Sequence, residues 1–313
     1  MKKKLLIIGG TGFLGSSIIL YIRNNFKSNF EISSISLHKP KKKILGVKYI
    51  VTDIKKIKKL EYYNYVIYAA NYSDKKFYKK KLKFIKKNSK NGLLNILNLL
   101  KKKKDLIKLI YLSSGAVYGY HKNFPKNGFS ENQPINLKNV NLLNREKRIY
   151  AKIKIFEEKL IKKFSSKKLN CTIARLFTFI GPFVPLKKHF AIGNFLNSIL
   201  KKKDIVCFTN SKKTFRSYMH TDDLSNLLFQ IFKKSDKKCN IYNIGSVEPI
   251  SIFQLALFIS KKYKVKLKLI KSKSDYIDRY YPSMKKAMLK FRLNKFKTIR
   301  KSFDLTIKKL KNK

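Results

Sequence analysis

The apolar run Leu5-Leu6-Ile7-Ile8 leads without a break into Gly9-Gly10-Thr11-Gly12-Phe13-Leu14-Gly15, a junction that few folds can use. Four apolar residues before a glycine cluster read as a buried strand entering a tight turn. Ser16 to Ile22 continues as an apolar segment of helical length, so Gly9, Gly12 and Gly15 stand at the spacing of a dinucleotide site. The glycines answer separate needs: a tight turn, close backbone approach to a pyrophosphate, and close helix-to-strand packing. The helix start would then face the phosphate charge. A charged Met1 to Lys4 followed by apolar residues also imitates a secretory signal. Three glycines interrupt that run, however, and no small-residue cleavage site precedes Arg23, so a cytoplasmic location is expected.

Downstream, strands and helices alternate. Glu31 to Leu37 and Val47 to Val51 read as strands, the latter closed by Asp53, and Tyr65 to Ala70 is the continuous apolar run of a strand buried in a parallel sheet. A helix over Leu93 to Leu100 and a strand over Leu106 to Leu112 follow, the strand running into Ser113-Ser114-Gly115-Ala116-Val117-Tyr118-Gly119. A turn-rich loop leads to a helix over Arg145 to Phe164 and a strand over Cys171 to Phe177. The alternation predicts an α/β fold, a Rossmann-type doubly wound parallel sheet with right-handed crossovers. After Gly181-Pro182 it becomes irregular, with helices near Gly193–Leu200, Asp222–Phe232 and Ile252–Lys262 and a strand at Ile241–Ile244. The expected division is a dinucleotide-binding domain over 1–180 and a smaller C-terminal substrate lobe over 181–313, with segments 222–232 and 241–244 able to return to the main sheet. No uncharged apolar stretch reaches eighteen residues, so no membrane partner is expected. Cys171, Cys207 and Cys239, like His121, His189 and His220, lack metal-ligand spacing, and no metal is expected.

The formal net charge of +57, from 74 Lys and Arg against 17 Asp and Glu, would by itself suggest a polyanionic partner. Lysine supplies nearly all of it, in short runs such as Lys101 to Lys104 and Lys201 to Lys203. Arginine, the better bidentate reader of phosphates and bases, is scarce. With Ile, Asn, Phe and Tyr also abundant, this is the mixture an AT-rich genome imposes at exposed positions, and nucleic acid is not the expected partner. A non-catalytic, RNA-binding chain is the distant alternative.

Tyr150 and Lys154 lie four apart on an expected helix and so share a face. An ammonium beside a phenol favours its ionised form, which can take a proton from a sugar or alcohol hydroxyl. With 18 tyrosines, the same spacing also occurs at Tyr72, Tyr118 and Tyr281. Tyr150 is preferred because its helix follows the strand and loop carrying Ser113 and Ser114. A serine hydroxyl there completes a Ser/Tyr/Lys set at the C-terminal edge of a parallel sheet, where doubly wound folds bind ligands.

Five motifs occur in order: the glycine turn, Ser113 to Gly119, Tyr150-x-x-x-Lys154, Arg175-Leu176-Phe177-x-x-x-Gly181-Pro182, and Arg216-x-Tyr218-x-His220-x-x-Asp223. Together, over residues 1 to about 260, they resemble the extended short-chain dehydrogenase/reductases of the NAD-dependent epimerase/dehydratase type, which act on nucleotide sugars. The resemblance implies NAD or NADP as cofactor, a nucleotide-diphosphate sugar as substrate, and a homodimer formed through the helices before and after the catalytic strand. It implies Ser114, Tyr150 and Lys154 as the catalytic set, Tyr150 as acid/base and Lys154 holding the nicotinamide ribose. Gly9, Thr11, Gly12, Phe13, Leu14 and Gly15 would cradle the cofactor, with Asp53 and Ile54 beside its adenine and Ala69 and Ala70 at the neighbouring strand end. Thr178, Asn194 and Arg216 form the candidate substrate-binding set, Arg216 on the diphosphate. The alternative for Arg216 is an ion pair with Asp222 or Asp223.

Departures from the family pattern sharpen the expectation. Thr178 stands where many relatives carry Asn, and Ser89 where a helix asparagine is usual. Gly115 and Ala116 occupy the positions that hold an Asp-Glu pair in relatives that remove water from the sugar, which disfavours a 4,6-dehydratase. A 4-epimerase is the expected activity, with an NADPH-dependent 4-keto-sugar reductase as the alternative. At the end of the second strand, Leu37-His38-Lys39-Pro40 offers no carboxylate for a ribose 2′-hydroxyl, and His38 or Lys39 could meet a 2′-phosphate.

Overall fold

Continuous apolar runs become the strands of a covered sheet, as the fully buried run Leu5 to Ile8 shows most plainly. The computed structural model describes residues 2–26, 29–71, 82–186, 190–235, 238–272 and 277–312; Tyr72 and His189 lie outside them. In chain order the strands are β1 (Lys3–Ile8), β2 (Phe30–Ser36), β3 (Val47–Val51), β4 (Tyr65–Tyr68), β5 (Ile107–Ser114), β6 (Leu169–Leu176), β7 (Thr178–Ile180), β8 (Ile205–Phe208), β9 (Thr214–His220), β10 (Asn240–Ile244), β11 (Pro249–Ser251), β12 (Leu267–Ile270) and β13 (Asp278–Tyr280). The helices are α1 (Phe13–Asn25), α2 (Leu82–Lys101), α3 (Leu137–Asn141), α4 (Arg145–Phe164), α5 (Ala191–Leu200), α6 (Thr221–Lys234), α7 (Ile252–Tyr263), α8 (Lys285–Phe291) and α9 (Ile299–Lys311).

Seven parallel strands form the main sheet in the order β3-β2-β1-β4-β5-β6-β10. The order reverses direction at β1, so the C-terminal ends of β1 and β4 flank the crevice where such folds bind ligands. One face is covered by α1 and α6, whose Ile18, Ile22, Leu228 and Phe232 join Leu5, Ile7 and Ile67 in one core. The other face packs Leu93, Ile96 and Leu97 of α2 and Ile161 of α4 against Leu6, Ile8, Val66 and Leu109. Helix α2 begins eleven residues before the expected Leu93. Its lysine-rich first half lacks the apolar spacing from which a helix is read.

Segments 221–234 and 240–244 join the main sheet and its core: α6 stacks Phe229 on Phe26 at 5.0 Å, and β10 forms the sheet edge beside β6. A third core gathers Phe195 and Leu196 of α5, Leu255 and Ile259 of α7, and Phe303 and Ile307 of α9. Beside it, β9 pairs with β7 and β13 in parallel and with β11 antiparallel. Strand β13 and helices α8 and α9 come from the lysine-rich end of the chain.

Candidate active site

Helix α1 starts at the end of the glycine turn, and the turn is built almost entirely of backbone. Gly9 has a φ of +86°, and a Cβ there would meet the Ala70 nitrogen at 2.6 Å. A Cβ on Gly15 would lie 2.3 Å from the Gly9 carbonyl, which fixes helix against strand. Gly12 differs: a Cβ there would touch only the Gly9 carbonyl, at 3.3 Å, and would otherwise fill open space before the helix. Gly12 is also the N-cap of α1 and supplies no side-chain cap, so the first helical N–H groups face that space without a side-chain acceptor. This open, electropositive cradle fits a pyrophosphate. The Thr11 N–H donates to Ser36 Oγ at 3.2 Å, and Phe13 and Leu14 pack on the first core.

The other cofactor candidates border the cradle in different ways. Ala69 donates its N–H to the Ile8 carbonyl at 2.8 Å, which brings the end of β4 against the turn. Asp53 Oδ1 accepts the Lys55 N–H at 2.9 Å. Ile54 packs on Gly92 of α2, and its carbonyl accepts from Asn95. His38 and Lys39 are exposed just beyond β2.

Strand β5 and helix α4 bring Ser114, Tyr150 and Lys154 to the same sheet edge. Asn144 caps α4 through the Lys147 N–H, with Glu146 in the first turn and Lys162 and Lys163 in the last, charges that suit the helix dipole. Tyr150 Oη accepts from Asn71 Nδ2 at 3.2 Å. Lys154 is only 1% exposed, and its Nζ lies 6.0 Å from the Tyr150 ring centre. Ser114 Oγ accepts the Ala116 N–H at 3.2 Å and shares a hydrogen with Tyr280 Oη, also at 3.2 Å. The rival Tyr118 is fully buried, donating to Asn243 Oδ1 at 2.8 Å and accepting from Arg175 Nη1 at 3.0 Å. Arg175 is held in turn by Glu158 at 2.8 Å.

The substrate candidates separate. Asn194 is exposed on α5, and the Thr178 hydroxyl donates to the Ser217 carbonyl. Arg216 is in an ion pair, as its alternative reading had it, but neither Asp222 nor Asp223 is its partner. Its Nη2 lies 2.6 Å from Asp278 Oδ2, while Asp222 sits 3.4 Å from His220 and Asp223 holds Lys297 at 2.5 Å. The register explains the correction: β13 runs parallel to β9 with Asp278 opposite Thr214 and Tyr280 opposite Arg216, whereas Asp222 and Asp223 turn away into α6. Although burial disfavours the Asp278 charge, Arg216 and Lys147 hold its carboxyl below the usual value.

Tyr280 joins the two groups of candidates. Its hydroxyl touches Ser114 while the Arg216 guanidinium lies 5.8 Å from its ring centre and Phe177 packs on it at 4.8 Å. Burial pushes its phenol up, partly offset by the Ser114 hydrogen bond. Nothing local in Asp278-Arg279-Tyr280 marks this residue; only its pairing with Arg216 does. Among the described residues no group of three or more His, Cys, Asp or Glu could hold a metal, and no helix is long and apolar enough to cross a membrane.

Residues 5–245 match the NAD dependent epimerase/dehydratase family. The chain belongs to that family. A dTDP-D-glucose 4,6-dehydratase of Dictyostelium discoideum is 30% identical to this chain over 275 residues, which are 81% of this chain and 61% of that protein. The chain spans less than two thirds of the length of the curated relatives it matches. The fold superimposes on a UDP-glucose 4-epimerase of Thermotoga maritima solved with UDP-glucose (TM-score 0.78, 18% identity, 99% of both chains). It is equally close to a UDP-N-acetylglucosamine 4-epimerase of Methanobrevibacter ruminantium (TM-score 0.79, 19% identity, 100% of this chain and 99% of the other). Family membership gives this chain an NAD(P) cofactor, for which the open cradle at Gly12 is shaped.

Proposed function

We propose that this chain is a nucleotide-sugar 4-epimerase. The observation that supports the reading is that Ser114 ends β5 while Lys154, 6.0 Å from the Tyr150 ring centre, donates to the Leu112 carbonyl of the same strand, next to positions that hold no acid. Gly115 has no room for one, because a Cβ there would lie 2.5 Å from the Phe177 ring, and Ala116 has no proton to transfer. Elimination of water from the sugar needs such a group, whereas epimerisation needs only a reversible proton transfer at one hydroxyl.

In this reading Tyr150 takes the proton of the sugar C4 hydroxyl and later returns it, while Ser114 hydrogen-bonds the same oxygen. Lys154 supplies positive charge beside the phenol. A bound nicotinamide supplies hydride acceptance and return at that carbon. The chain's own part is to hold the pyrophosphate at Gly12, fix the sugar oxygen between Ser114 and Tyr150, and receive the diphosphate at Arg216, where Asp278 now sits. A 4-keto-sugar reductase is the second reading, favoured by the exposed His38 and Lys39 at the place a 2′-phosphate would occupy. A homodimer through α2 and α4 and a cytoplasmic location complete the proposal. Light scattering would test the first and fractionation the second.

The test is incubation with UDP-, dTDP- and ADP-hexoses and either cofactor, products being separated by chromatography. Conversion to the C4 epimer without net cofactor reduction supports the epimerase; net oxidation of NADPH by a 4-keto sugar supports the reductase. Tyr150→Phe is expected to lower turnover at least about 100-fold, the scale of a general acid/base, with NADH affinity retained. A fully active variant would remove Tyr150 from the mechanism.

A further inference from the structure

Beneath Tyr150, four side chains form a closed polar unit. Lys154, Glu157, Tyr111 and Ser89 are all buried, with exposures of 1%, 3%, 0% and 8%. Lys154 Nζ donates to Tyr111 Oη at 2.8 Å and to the Leu112 carbonyl at 3.2 Å, and lies 3.2 Å from Glu157 Oε2. Glu157 Oε2 also accepts from Tyr111 Oη, and its Oε1 accepts from Ser89 Oγ. Burial, and next the Glu157 charge, hold the Tyr111 phenol well above its usual value, so it remains a neutral donor to Glu157 and an acceptor for Lys154.

An ammonium carries three N–H bonds and no more. Lys154 donates two of them to β5, at the Tyr111 hydroxyl and the Leu112 carbonyl, and is held besides by the Glu157 charge on its own helix. Glu157 is the charged partner, three residues along α4 from Lys154. Ser89, standing where a helix asparagine is usual, is occupied with the far oxygen of Glu157 and thereby orients that carboxylate. The next residue, Glu158, faces a different partner and forms the Arg175 pair, so only Glu157 acts on Lys154.

We propose that Glu157 is a positioning residue that, with Tyr111, holds the Lys154 ammonium toward the sheet, so that a nicotinamide ribose competes with these two groups for Lys154. The inference rests on the reading of Lys154 as a ribose ligand. It gives the buried carboxylate a restraining role: the pair it makes in the free protein is set against the contact Lys154 makes with cofactor, and affinity is the difference. Glu157→Gln weakens the restraint by removing its charge. Tyr111→Phe removes one acceptor and leaves the charge in place.

Fluorescence titration with NADH and with NADPH, after removal of any co-purified nucleotide, tests this. The expected result is tighter binding than wild type, by about 3- to 10-fold for Glu157→Gln and less for Tyr111→Phe. In a Lys154→Met background, Glu157→Gln should no longer change the affinity, because the two residues act through one interaction. A role confined to packing would give unchanged or weaker binding. Binding by wild type with both variants unchanged or weaker overturns the inference alone, as does a Glu157→Gln effect that persists without Lys154. Absence of binding in wild type and variants alike overturns the cofactor reading and the inference together. Tyr111→Phe, which leaves the buried ion pair in place, decides the matter if Glu157→Gln does not fold.

Discussion

The glycine turn and strand β13 border the same site, yet they are built in opposite ways. The turn is backbone against backbone within Gly9 to Gly15 and Ala69 to Ala70, with tolerances set by single Cβ atoms. Strand β13 reaches the site from the far end of the chain and is fixed by charge, with Asp278 between Arg216 and Lys147 and Tyr280 on Ser114. Steric construction fails abruptly when altered. Electrostatic construction gives way by degrees, and with pH.

The largest expected effect breaks the steric half. Gly9→Ala sets a Cβ against the Ala70 backbone at a positive φ and should cost more than about 3 kcal/mol, read as loss of soluble folded protein or a collapsed melting temperature. Gly12→Ala sharpens the contrast: its melting temperature should stay near wild type while NADH affinity falls at least about tenfold, because the methyl enters only the pyrophosphate space. A Gly12→Ala protein that bound NADH normally would show that the cradle lies elsewhere.

In the charged half, Asp278→Asn should cost about 2 kcal/mol in urea unfolding at neutral pH, the order of a hydrogen bond to a charged group. Its carboxyl is held below its usual value, so the stabilisation is complete above about pH 3.9 and disappears as pH falls through the lower folded value. The gap between wild type and variant should therefore close on acidification, and a gap constant with pH would refute the ion pair. The smallest effect belongs to His220, whose Nδ1 accepts the Asp222 N–H and caps α6. Burial lowers its pKa, so it folds neutral; stability is full above about pH 6.5, declines below it, and levels off beneath the folded value. The loss should be about 1 kcal/mol, the worth of one cap, and His220→Asn, which keeps a capping acceptor, should not show it.

How far the site could be read from sequence follows the same division. Gly9 to Gly15, the β5 end at Ser114 and the Tyr150/Lys154 pair depend on local spacing, and the structure brings them to one sheet edge. The parallel sheet was legible because apolar runs alternated with helical stretches. The alternative reading of Arg216, an ion pair, named Asp222 or Asp223 because sequence nearness was the only guide, whereas the β9 and β13 register decides the partner. Tyr280 gave no signal for the same reason. Ser89 was visible as a departure, but its meaning required α2 to be laid against α4, where it meets Glu157.

The position of β10 bears on the order in which this chain can fold. All eight residues of β6 are buried, and one of that strand's two edges is closed only by Asn240–Ile244, after the chain has gone out to build α5, β8, β9 and α6. During synthesis, therefore, a strand destined for burial waits with an unsatisfied edge while some sixty further residues emerge, the kind of non-local pairing that slows folding and invites chain-to-chain association. A nascent chain halted near residue 180 would hold nearly every motif of the cofactor site and still present that open edge. The segment beyond residue 181 is thus needed to finish the main sheet.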